Sequence, residues 1–520
     1  MASRSGADSA RTPSRTSWLD TPLSASSCVI GWVLATAVFL GLMAILGGPV
    51  EGDAAESVYS TWAIAHGHIA CAFPPATTYY FPAIARPGPF VAPLWPLISG
   101  LFDALLRIGH GVPFPSSRAL GPHCSTALAS MYKWSAKSGA ALPTVRLGYL
   151  SWLVLMGGVV ALLRSSGRGR CRWEPAVLVL IACVPSVLAA LLDYFHPQDL
   201  VAMGLMVGGL ACARRRWWIW AGLLLGLAFT SQQFALLVIA PLFVVAPKHR
   251  QVRFAGAALA GAALVLLPMV ALTSGRALRA SFLGTGDFTG GGGTLLWELH
   301  LHGVMLVILS RILPIAASML LARWALRRLG RAVMDPVPLL SLIATSLSLR
   351  LVFEQNLYGY YFMALSVTLV LLDVVGGRIR GQLVAWLGLL VLAFNPVPWG
   401  FNSNGASWGL DARLDLPLAL MVIASLFIAS DVLRGRIRWY LVAWLVLVAL
   451  AFANLPPWQV EPLRAMLPTW FWQIVLLPTG IALAAGRLIS YRRNRDVPDL
   501  VPAFPSLAMA SVPGVEVGDN

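Results

Sequence analysis

The chain of 520 residues is 58% hydrophobic and only 12% charged, with a mean hydropathy of +0.74. Soluble domains carry roughly 25% charged residues, so the composition excludes a soluble enzyme built around one core. The net charge of +16 does not point to nucleic acid, because the arginines gather in short loops between apolar runs. Those runs reach about 17–20 residues, enough to cross the hydrocarbon core as helices. The expected fold class is therefore all-α, a polytopic membrane protein of about 14 membrane helices with a long first outer loop.

Residues 1–26 are rich in Ser, Thr and Arg and read as a disordered cytoplasmic N-terminus without a cleavable signal. The first span is expected over Cys28–Leu46, with Arg4, Arg11 and Arg15 holding the N-terminus inside. A Pro-, Gly- and aromatic-rich outer loop, 47–143, follows. Within it Phe90–Ile108 is apolar but carries Pro93, Pro96, Asp103 and Arg107, and reads as an interfacial or re-entrant helix. Spans are expected over Val145–Leu163, Pro175–Leu192 and Leu200–Ala213. Trp217–Thr230 and Gln233–Ala246 are short and meet at the polar Ser231-Gln232-Gln233. Such a break is tolerated at membrane depth only where it lines a cavity or is buried in protein. Phe254–Thr273, Val304–Leu321 and Val337–Val352 continue the series, and the remaining spans run to about residue 495. The arginine runs alternate so that both termini fall on the cytoplasmic side of a plasma membrane. The layout divides into a core over 27–375, C-terminal helices over 376–495 and a disordered cytoplasmic tail over 496–520.

The outer face collects the chemistry-bearing side chains, whereas the inner face offers mainly arginine and no phosphate-cradling glycine loop. Glu51, Asp53, Glu56, His66 and His68 follow the first span directly, and ionisable groups at a membrane surface mark a site by default. Asp53 reads either as a general base or as the N-cap of the next helix; Glu51 and Glu56 are rivals for the first role. The turn Asp193–Asp199 adds His196, Gln198 and Asp199. Asp and His are plausible metal ligands, but their spacing matches no strong metal motif. Arg350 departs from the inner location of the other arginines. It can pair with Glu354 one helical turn on or hold a lipid phosphate. Tyr358, Tyr360 and Tyr361 read as an interfacial aromatic belt or as a platform for a sugar ring. Cys71 and Cys124, the two cysteines of the outer loop, are expected to pair in an oxidising compartment.

The layout resembles the GT-C glycosyltransferases, and within them the bacterial integral-membrane mannosyl- and arabinosyltransferase-like proteins. The residues that carry the resemblance are Glu51-Gly-Asp53, Tyr59, Trp62–Gly67, His196-Pro-Gln-Asp199, Trp220–Ala228 with Gln232 and Gln233, and Arg350 with Tyr358–Tyr361. The resemblance implies a catalytic core over 27–375 that moves a sugar from a polyprenyl-phosphate donor to a glycan or glycolipid hydroxyl of the envelope. It implies Asp53 as the base, with Glu51 and Glu56 auxiliary. Donor and acceptor would be held among His196, Gln198, Asp199, Gln232, Gln233, Arg350, Glu354 and Tyr360. Many relatives carry a lysine near the break where this chain has Gln232 and Gln233, which shifts donor-phosphate binding to Arg350 or His196. No nucleotide cofactor is implied, a divalent metal is optional, and the partners are the donor, the acceptor and the bilayer. The rival classes are a transporter or flippase of lipid or solute, disfavoured by ionisable groups that gather outside rather than at mid-depth, and a non-catalytic envelope-biogenesis protein.

Overall fold

A computed structural model describes residues 22–46, 54–73, 92–106, 133–135, 141–169, 172–192, 195–273, 275, 296, 299, 301, 303–354 and 359–376. Helices are the only extended elements among these residues. Five are long and apolar enough to cross a membrane, or six if a bent pair counts as one span. The helices expected after residue 376 lie outside the described residues.

In chain order the helices are α1 (Ala25–Leu46), α2 (Ala54–Ala65), α3 (Leu94–Leu106), α4 (Ala141–Gly148), α5 (Ser151–Ser165), α6 (Trp173–Ala182) and α7 (Pro185–Leu192). They continue with α8 (Pro197–Arg214), α9 (Trp218–Ser231), α10 (Leu236–Val245), α11 (Lys248–Leu272), α12 (Gly303–Leu329), α13 (Pro336–Phe353) and α14 (Met363–Val375). The expected span Pro175–Leu192 is not one straight helix. It is the pair α6 and α7, bent by 63°. Val184 precedes Pro185, and a residue before proline is disfavoured in helical geometry, so the helix stops and restarts there. The apolar piece Phe90–Ile108 forms α3, whose 13 residues rise only about 20 Å, short of the roughly 30 Å hydrocarbon core. Its Leu101, Phe102, Leu105 and Leu106 are exposed while Trp95, Ser99 and Asp103 are buried, the two-faced pattern of an interfacial helix.

Close approach of backbones sets the packing. α5 meets α8 where Gly158 faces Gly204, and α9 meets α11 through Gly222, Gly226 and Gly261. A Cβ on Gly226 would collide with the Ala258 carbonyl oxygen of α11. Small residues at such crossings let lipid-embedded helices gain packing where no hydrophobic drive separates helix from lipid. Buried hydroxyls bond within the protein: Thr345, Ser346 and Ser348 of α13 donate to carbonyls four residues back, and Ser186 of α7 bonds Ser366 of α14 at 2.9 Å. Val29, Val33, Leu259, Leu264, Leu267 and Leu320 point outward as a lipid-facing surface.

The arginine-bearing helix ends lie together. Arg164, at the end of α5, pairs at 3.2 Å with the fully buried Glu174 at the start of α6. Trp32 of α1 donates to the same carboxylate at 2.7 Å. Arg214, ending α8, donates to Ser165 and Ser166. Glu174 thus ties three helices at one end of the bundle. The other end carries the break after α9, the start of α8 and the C-terminus of α13.

Candidate active site

At that other end α9 stops at Ser231. Gln232 is extended (φ −156°, ψ 137°), and a 3₁₀ turn over Gln233–Ala235 leads into α10. The break is buried in protein: Ser231 Oγ donates to the Gln198 carbonyl at 2.8 Å, and Phe234 is buried. A polar interruption of a spanning helix needs such internal partners, because lipid supplies none.

The start of α8 faces this break. Phe195, fully buried, sits in the left-handed region at φ 53°, a conformation that costs a non-glycine residue about 1 kcal/mol or more. Its ring fits because Gly148 has no side chain; a Cβ there would run into the ring edge. His196 follows, stacked on Tyr360 with centroids 4.2 Å apart. Gln198 Nε2 donates to His196 Nδ1 at 3.0 Å. An amide N–H can only donate, so Nδ1 accepts and a neutral ring carries its proton on Nε2.

Asp199 is 3% exposed and lies near His196 and the Arg350 guanidinium, and the Gln232 side chain hydrogen-bonds its carboxylate. Among the described residues two buried oxygens here have no hydrogen-bond partner, Asp199 Oδ1 and Gln198 Oε1. Buried acceptors left unpaired are costly, on the order of 1–3 kcal/mol each, and a donor from outside the chain would relieve that cost.

Arg350 Nε donates to Glu354 Oε2 at 2.8 Å, and Glu354 is 5% exposed. The guanidinium lies 5.2 Å from the centre of the Phe234 ring and 4.7 Å from that of Tyr361. Cation–π contacts of this kind strengthen when desolvated. Tyr360 is buried against His196 and Tyr361, so it does not form a lipid-facing belt. His196, Gln198, Asp199, Gln232, Arg350, Glu354 and Tyr360 therefore converge, although they come from three stretches of chain. Gln233 opens the 3₁₀ turn and is half-buried.

The helices α2 and α3 reach the same end. α2 and α3 are joined by the Thr61–Ser99 hydrogen bond of 2.7 Å and pack through Ile64, Phe73 and Trp95 against Val201 of α8 and Met269 of α11. At the start of α2, Ala54 packs with Val145 and Phe195. The residue that follows Asp53 in the chain thus shares a small apolar cluster with the residue that precedes His196. Asp53 and Glu51 lie outside the described residues; Glu56 lies within α2. His66 and His68 are exposed and do not join the cluster. Cys71 is disulfide-bonded, and Cys124 lies outside the described residues. Among the described residues no three His, Cys, Asp or Glu side chains converge as a metal-ligand group.

Phe195, Gly148 and Phe234 belong to this architecture and are not legible as functional from sequence. An aromatic residue before His-Pro has no signature, and the role of Gly148 depends on a ring 47 positions away.

The model of Glycosyltransferase family 87 matches residues 140–297. That segment spans α4 to α11 and includes His196, Gln198, Asp199, Gln232 and Gln233; Asp53 precedes it and Arg350, Glu354 and Tyr360 follow it. No curated protein matches the chain. Together the match and the apolar helices make the chain a glycosyltransferase with membrane helices.

Proposed function

We propose that the chain transfers a sugar of the mannose or arabinose class from a polyprenyl monophosphate to a glycan or glycolipid hydroxyl of the envelope. The reaction is assigned to the bundle end where α8, the break after α9 and the C-terminus of α13 meet, on the outer face of a plasma membrane. The acceptor oxygen attacks the anomeric carbon. A glycosidic C–O bond forms as the bond to the donor phosphate breaks, and the electron pair leaves on the phosphate. Asp53 takes the acceptor proton. One displacement of this kind inverts the anomeric centre.

The observation that carries the reading is the buried cluster itself. A leaving phosphate needs a fixed cation in a dry site, and Arg350 supplies a guanidinium positioned by Glu354 at 2.8 Å. Its fork suits phosphate oxygens. The unpaired Asp199 Oδ1 and Gln198 Oε1 accept sugar hydroxyls, and the His196–Tyr360 stack offers an apolar ring face for the sugar. The apolar cluster that Ala54 shares with Val145 and Phe195 supports bringing Asp53 to this site. A GT-C-type fold of about 14 helices, cytoplasmic termini and pairing of Cys71 with Cys124 belong to the same reading.

Full-length protein in membranes, offered polyprenyl-phosphate mannose or polyprenyl-phosphate arabinose with a radiolabelled sugar, tests it. Label is expected to move from the polyprenyl carrier into an acceptor glycolipid or glycan with release of polyprenyl phosphate. Transfer from a nucleotide sugar but from neither lipid-linked donor would overturn the donor assignment.

A further inference from the structure

We propose a second ligand site at the opposite end of the same helices, a pocket for the headgroup of an anionic phospholipid. α9 starts there at Trp218 and α11 at Lys248, about 20 Å along α9 from the break at Gln232. A cavity of about 420 Å³ opens between them, lined by Arg216, Arg250 and Arg253 together with Trp217, Trp218 and Trp220. Among the described residues no carboxylate lines it. None of the three guanidiniums has an ion-pair partner among the described residues.

Three cations around one cavity without a carboxylate repel one another and attract an anion. Neither helix has an acidic residue in its first turn or a side-chain capping bond, so the helix dipoles add to the same field. Guanidinium forks select phosphate oxygens. The aromatic lining selects the source of that phosphate. Trp217 is 53% exposed and Trp220 61%, beside the exposed Ile219 and Val252. Exposed tryptophans at a helix end sit at the headgroup level of a bilayer, and apolar neighbours pack acyl chains rather than a free ion. The mouth is held rigid, because Trp218 packs edge-on against Phe254 at 6.0 Å and Gly222 brings α9 against the Phe254 backbone.

The occupant is a phospholipid with a net negative headgroup, from the leaflet at the arginine-bearing end. Native mass spectrometry of the detergent-solubilised full chain, titrated with phosphatidylglycerol or with phosphatidylcholine of the same acyl chains, reads it directly. Wild type is expected to hold phosphatidylglycerol roughly a hundredfold more tightly than phosphatidylcholine, since each of the three basic residues near an anionic headgroup contributes about a fivefold factor. Arg250→Gln with Arg253→Gln should cut that preference to about fivefold, the share left to Arg216. Arg250→Lys with Arg253→Lys should restore most of the preference, and Arg327→Gln with Arg328→Gln, in another basic run, should leave it intact. Equal binding of the two lipids by wild type overturns the proposal without any variant. So does displacement of phosphatidylglycerol by millimolar inorganic phosphate, which assigns the pocket to a free anion, and so does equal loss in the Arg327/Arg328 control.

Discussion

At the scale of residues, Arg350 and Glu354 decide how the cluster holds together. Both are largely buried and 2.8 Å apart. Removing one partner of a buried pair strands a charge at a cost of about 3–5 kcal/mol, whereas replacing both costs far less. Glu354→Gln and Arg350→Gln are each expected to lower the thermal midpoint in detergent, and the double variant to lie well above the sum of the two losses. Additive losses in a thermal-shift double-mutant cycle would contradict the pairing. Much at this scale was legible in the sequence, because these side chains break local rules. The arginine pattern sets Arg350 apart from the other arginines, and His196, Gln198 and Asp199 crowd a turn that needs fewer polar groups. Their convergence was not legible. Spacing cannot show that Tyr360 stacks on His196, more than 160 positions away, nor that the tyrosine leaves the interface to do so. The inner Glu174, which joins Trp32 and Arg164, also gave no signal, since a carboxylate at a helix start reads as an ordinary dipole partner.

At the scale of elements, the break between α9 and α10 and the tight contact of α9 with α11 position the site. Ser231, Gln232 and Gln233 between two short apolar runs announced the break, because no continuous span can carry three polar groups without internal partners. The bend between α6 and α7 was readable only as a proline at its hinge. The α9–α11 contact depends on Gly222, Gly226 and Gly261, and the sequence showed only that glycines were present. Gly226→Ala places a methyl against the Ala258 carbonyl, so α9 must shift, and overpacking of this kind costs about 1–3 kcal/mol. The variant is expected to unfold several degrees below wild type in a detergent thermal-shift assay. Because Gln232 ends the same helix, it should also bind the lipid-linked donor more weakly. Gly256→Ala, with open space around its Cβ position, should behave as wild type. Equal behaviour of the two variants would contradict the packing account.

At the scale of the molecule, the helices sort their chemistry by end. Arg164, Arg214, the Glu174 knot and the basic pocket share one end; the break, the Arg350–Glu354 pair and the packed helices α2 and α3 share the other. The composition and the alternation of arginine runs implied this polarity. They did not imply that α2 and α3 fold back on α8 and α11, which arises from Ile64, Phe73 and Trp95 meeting Val201 and Met269. That fold-back brings the start of α2 into a cluster with Phe195, more than 140 residues later, and it supports the proposal, drawn from the family resemblance, that Asp53 is the base. Transfer rates of purified wild type, Asp53→Asn, Glu51→Gln and Glu56→Gln with a polyprenyl-phosphate sugar test this most directly. Loss of a positioned general base costs about 10²–10⁴ in rate, so Asp53→Asn should fold, bind donor as wild type does and lose transfer by that factor, while the two glutamine variants retain most of theirs. Near-normal transfer by Asp53→Asn would contradict the account.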